Sequence, residues 1–189
     1  GAQLFFGASS ELKFIHVADT GLTLSHAGGT GDNLPIVFQL KSEEDAIIAD
    51  EVIASLEFAA GDSDGTDGAT VAAGIHAIAE DTFSATVNKT RLSFTTGVSE
   101  TAAASATAKM TLSSAGNLGI GTTSPAKKLS VNGPALATIS ALSDGATITP
   151  DFDTSQNFSV TLGGNRTLAN PNNIDAGQTG SIFVTQDGT

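Results

Sequence analysis

The chain contains no cysteine, no tryptophan and no tyrosine, and only eight Lys and Arg in 189 residues. Without cysteine, neither a disulfide nor a thiolate metal site can hold the fold, and the redox compartment is left open. Eight cations against twenty Asp and Glu give a net charge of −12. Phosphate recognition needs clustered Lys and Arg, so nucleic acid and anionic membrane surfaces are disfavoured as partners. Acidity of this kind is first of all a solubility device. Sugar-binding sites commonly use aromatic platforms, so the missing Trp and Tyr argue against a glycosidase site or a sugar-binding tip in this stretch. No apolar run approaches the ~20 residues that span a bilayer, and no signal-peptide pattern opens the chain. It begins at Gly1 rather than Met and a strand signal runs to its end, so it is expected to be an excerpt of a longer polypeptide.

Twenty-one glycines, abundant Ala, Ser and Thr, and short apolar runs between turn residues predict an all-β chain. With aromatic side chains limited to Phe, the apolar surface suits thin, close-packed layers better than a thick globule. In order, strands are predicted at 4–6, 12–17, 22–24 and 35–40. Over Ser42 to Phe58 two periods compete. Ile48, Val52 and Leu56 recur every four residues, whereas Val52, Ala54, Leu56 and Phe58 recur every two. A single helical turn at 43–46 ahead of a strand reconciles them. Residues 71–80 alternate small side chains on both faces, with Val71, Ala73, Ile75 and Ala77 on one side and Gly74, His76 and Ile78 on the other. Further strands are predicted at 83–87, 91–95, 139–142, 146–148, 158–162 and 182–184, with residues 99–109 as a loop or loosely packed connection.

The most distinctive stretch is 113–133, SSAGNLGIGTTSPAKKLSVNG. Its glycines and Pro125 exclude a helix. Leu118 and Ile120 share one face of a short strand, and Leu129 and Val131 repeat that spacing beyond the proline. This pattern resembles the glycine-rich repeat of bacteriophage tail fibres and tailspike-type virion proteins. Residues 58–94 are similar to the segment that commonly precedes it in such fibres, and 157–189 resemble another virion-protein module. The resemblance covers most of residues 42–189. It implies an elongated, trimeric, intertwined shaft of the β-prism or β-helix kind. It also favours the strand reading of Ser42 to Phe58.

Few residues qualify for chemistry. Gly61–Gly68 is an acidic glycine loop in which Asp62, Asp64 and Asp67 offer oxygen ligands for Ca²⁺, but a twelve-residue count from Asp62 ends on Ala73, not on a bidentate Glu. A solvated hairpin turn explains the same residues. His16, His26 and His76 lack metal-ligand spacing. In a symmetric trimer an inward-facing His76 would meet two copies of itself and could bind a metal on the axis. Asp151 and Asp153 would stand about 7 Å apart on a strand, a glycosidase-like spacing, but Pro150 and the polar residues after Asp153 favour a turn. Adjacent Glu80 and Asp81 point to opposite faces of extended backbone. No nucleophile elbow is present, and Gly119-Ile120-Gly121 lacks the Lys-Ser/Thr of a phosphate loop.

The expectation is therefore a non-enzymatic structural segment of a virion tail fibre, extracellular with the particle, without a required cofactor. The organisation expected is an N-terminal β segment at 1–41, a β-rich shaft module at 42–115, the glycine-rich motif at 116–133, and a C-terminal β module at 134–189 with its boundary at Gly133-Pro134. Leu118, Ile120, Leu129, Val131, Ile75 and Phe94 are expected to face the axis of a homotrimer. Other tail or virion proteins would be its neighbours, and a host surface glycan or protein would be met through other parts of the fibre. The alternatives are a Ca²⁺-assisted glycan-binding module of the same fibre, a polysaccharide depolymerase, or a fibre attached to capsid or neck.

Overall fold

A computed structural model describes residues 3–6, 12–17, 21–26, 35–59, 70–98 and 101–188. The acidic loop at 61–68, with Asp62, Asp64 and Asp67, lies outside them. Among the described residues every regular element is a β-strand. None is a helix long and apolar enough to cross a membrane.

Three strands, β1 (Gln3–Phe6), β2 (Leu12–Val17) and β3 (Gly21–His26), form an antiparallel meander. Six more make the largest sheet in simple order: β4 (Val52–Ala59), β5 (Val71–Ala79), β6 (Thr90–Thr96), β7 (Met110–Leu112), β8 (Leu118–Ile120) and β9 (Leu129–Val131). Strands β4 to β8 pair antiparallel with one another in succession; β9 runs parallel to β8. This sheet joins strands from within 42–115 to the glycine-rich motif at 116–133, which supplies its last two strands.

The C-terminal region is built differently. Strands β10 (Ile139–Ala141), β12 (Asn157–Leu162) and β14 (Ser181–Gln186) stack in parallel. Between them β11 (Thr147–Ile148) pairs in parallel with β13 (Thr167–Leu168), and Asp151 bridges Asn172 in the same sense. Successive turns of chain thus lie on one another in register, as the repeats of a solenoid do. Phe158, Val160, Ile148 and Pro150 are buried between them, and the Phe152 and Phe158 rings meet at 5.5 Å between centroids. At one corner Arg166 grips Asp144 with two hydrogen bonds, Nε to Oδ1 at 2.7 Å and Nη2 to Oδ2 at 2.6 Å.

Three sequence expectations need correction. Residues 35–40 form no strand and all six are exposed. Among the described residues no strand pairs with them, and an isolated strand cannot satisfy its backbone. Residues 83–87 form a turn: the Ser84 hydroxyl accepts the Thr86 amide at 3.3 Å, and the Ser84 amide donates to the Val87 carbonyl at 2.9 Å. A short polar side chain has outcompeted the ladder there. No helical turn forms at 43–46 and β4 begins only at Val52. Irregular chain carries the sequence to Asp50, whose φ of 69° sets the corner into β4.

Candidate functional site

The register of the six-stranded sheet sorts its side chains cleanly. Directly paired residues point to the same face. Ala54, Ala77, Leu92, Leu112, Leu118 and Leu129 therefore form one line across all six strands, and Leu56, Ile75, Phe94, Met110, Ile120 and Val131 form the next. Phe58 and Ala73 extend the face beyond the second line. No charged or hydrogen-bonding side chain interrupts either line. None of these twelve residues is buried; Leu129 is 61 % exposed and Phe58, beyond them, 54 %. At about 4.8 Å between strands each line is roughly 24 Å long. The lines together reach the few hundred Å² at which an exposed apolar patch marks an interaction site.

The opposite face is the reverse in chemistry and in burial. Its side chains include His76, Ser93, Thr95 and Thr111, all buried. The chain's own loops cover it. Ala102, fully buried within 101–109, donates its amide to the Val71 carbonyl at 2.7 Å. The Ala102 carbonyl accepts from the Thr95 hydroxyl, and His76 Nε2 lies 2.9 Å from Thr95 Oγ1 and 3.3 Å from that carbonyl. Since the Thr95 proton is committed to Ala102, His76 donates from Nε2, and its Nδ1 pairs with the Ser55 hydroxyl at 2.8 Å. The ring folds back over Gly74, where a Cβ would come within 2.4 Å of Nε2; only glycine leaves room.

The glycine-rich motif completes this cover. Between β8 and β9 the chain crosses over the polar face, and Pro125 is buried there. Asn117 Nδ2 donates to the Pro125 carbonyl at 3.1 Å. A Cβ at Gly119 would stand 2.4 Å from the Thr122 carbonyl oxygen. Gly119 is therefore the position at which the crossover can descend onto the sheet, and because it descends on that side it leaves the apolar side bare.

All six side chains expected at a trimer axis, Leu118, Ile120, Leu129, Val131, Ile75 and Phe94, fall on this one bare face. His76 does not join them. It lies on the covered face with both ring nitrogens engaged, so the same orientation cannot bring it and Leu118 to one axis. Sequence reasoning omitted Leu56, Leu92, Met110 and Leu112, although the two-residue alternation in their strands was a usable signal.

Other candidates disperse. Asp151 accepts the Asp153 amide at 3.1 Å and the Asn173 side-chain amide at 2.8 Å, both at Oδ1, which makes it the hub of a turn. Asp81 is tied to Lys89 at 2.9 Å, and that ammonium, with the Thr82 amide, holds its carboxyl below the usual range. Glu80 instead accepts the Ser114 amide at 3.0 Å. Among the described residues no three His, Cys, Asp or Glu converge. No family model and no curated protein matches the chain.

Proposed function

We propose that this chain is a structural segment of a homotrimeric virion appendage of the tail-fibre kind, which extends and supports attachment to a host. Three copies turn the apolar face of the six-stranded sheet inward and bury it against one another. The observation that carries this reading is the pair of six-residue apolar lines, half of whose residues are exposed and none buried, while the chain's own loops cover much of the polar face. A sheet with one apolar face must bury it against another layer, and among the described residues no second layer covers this face. Two further copies supply it with matching chemistry. The threefold count and the virion setting come from the resemblance of residues 113–133 to fibre repeats.

In this role the segment has no substrate. Its work is stiffness and reach, with receptor contact made elsewhere on the fibre. Negative-stain imaging of the purified chain tests the reading: threefold rods are expected, and a field of single small particles would overturn it.

A further inference from the structure

Asn132 is the one asparagine in the chain followed by glycine. The pair closes the large sheet. Asn132 donates its main-chain amide to the Ile120 carbonyl at 2.9 Å, the last rung beyond β9, and its side-chain Nδ2 donates to the Gly121 carbonyl at 3.2 Å. Past that rung the ladder stops, and residues 131–139 are all exposed. Among the described residues nothing accepts the Gly133 amide. Gly133 has a φ of 145°, and no atom lies within 4 Å of the place a Cβ would occupy. The Gly133 nitrogen is thus outside the ladder, unshielded by a side chain of its own and next to an exposed carboxamide.

From this geometry we infer that Asn132 is a site of spontaneous covalent modification with solvent water as its only co-reactant. The two groups belong to neighbouring residues and react as an intramolecular pair. The Gly133 nitrogen attacks Asn132 Cγ, the Cγ–Nδ2 bond breaks, and Nδ2 leaves as ammonia with the proton that the Gly133 nitrogen gives up. The product is a five-membered succinimide. Water opens it at Cγ to give aspartate, or at the main-chain carbonyl to give isoaspartate, whose main chain runs through the former side chain. Ammonia is lost, so the change runs one way. The bond to Gly121 does not survive it, because a carboxylate only accepts and has no proton to offer that carbonyl. Isoaspartate also adds a methylene to the main chain where the sheet ends. The reaction is therefore a timer that loosens the end of β9.

Three other places show what the reaction requires. Asn88 and Asn165 are also exposed, but Lys89 and Arg166 follow them and set a Cβ beside the attacking nitrogen. Asp144 precedes Gly145, but its carboxylate is gripped by Arg166 at 2.7 and 2.6 Å, and an anion resists nucleophilic attack.

The test incubates the intact chain in mildly alkaline buffer, which favours loss of the amide proton, beside the peptide LSVNGPALA of residues 129–137. Fragment mass spectrometry follows the amide-to-acid mass gain at each asparagine, and an isoaspartate methyltransferase assay counts isoaspartate. In the folded chain Asn132 should convert at least tenfold faster than Asn88 and Asn165, within tenfold of the peptide, and to both products. Asn132→Gln should remove the isoaspartate signal, because glutamine must close a six-membered ring, and circular dichroism checks that this variant keeps the fold. A smaller margin over Asn88 and Asn165, or conversion more than tenfold slower than in the peptide, would overturn the inference, since the fold would then hold the pair out of reach. So would aspartate without isoaspartate, which direct hydrolysis explains, or isoaspartate undiminished in Asn132→Gln.

Discussion

Leu118 and Leu129 stand directly opposite one another in the parallel pair β8 and β9 and project from the same uncovered face. The crossover that joins their strands lies on the other side, against Gly119. One loop therefore both brings the two leucines together and leaves their face uncovered, Leu118 half-buried and Leu129 exposed.

Charge placed on that face should separate the copies. In Leu118→Asp/Ile120→Asp, each lost burial forfeits about 1.5–3 kcal/mol, and two together should raise the dissociation constant at least ~100-fold. Sedimentation equilibrium at matched concentrations reads the effect. An unchanged mass would show that these residues hold no partner.

The close approach at Gly119 should be visible in stability. Gly119→Ala puts a Cβ against a backbone oxygen that cannot swing away, and should cost about 1–3 kcal/mol. At Gly145 an added Cβ would lie 3.6 Å from the Thr147 carbonyl, an ordinary contact, so Gly145→Ala should change stability by less than about 0.5 kcal/mol. Denaturant melts of the two variants make the comparison, and equal effects would remove the packing role assigned to the crossover.

The Asp144–Arg166 pair predicts an acid dependence. The hydrogen-bonded guanidinium lowers the Asp144 carboxyl from 3.8 to about 2. A carboxylate with a depressed native value stabilises the fold fully above its unfolded value and loses that contribution as pH falls through the native one. Asp144→Asn should therefore melt below the wild type at pH 7, and the gap should narrow from about pH 4 downward and close only below about pH 2. A gap that stays constant across this range would mean the pair contributes no pH-linked stability.

Much of the large sheet could be read from residue alternation alone. Residues 71–79 displayed two distinct faces in the sequence, and Leu118, Ile120, Leu129 and Val131 were identifiable as face-sharing pairs. What alternation cannot supply is register, and it is register that joins pairs from six strands into two continuous lines. The stacked C-terminal region was less legible. Ile139 stacks on Asn157 and Asn157 on Ser181, intervals of 18 and 24 residues, so no fixed repeat length marks it. Thr167–Leu168 is too short to show a period and is a strand only because β11 lies beside it. The run at 35–40 erred the other way, with strand-like residues but, among the described residues, no neighbour to pair with.

In the proposed trimer, one copy cannot bury its own apolar sheet and takes two more to do so. Its most direct test is the mass of the wild-type chain in solution by sedimentation velocity over a dilution series. A trimer has three times the chain mass of 18.9 kDa, and loss of folded signal should accompany any dissociation. A stable, cooperatively melting particle of single-chain mass at every concentration would contradict it.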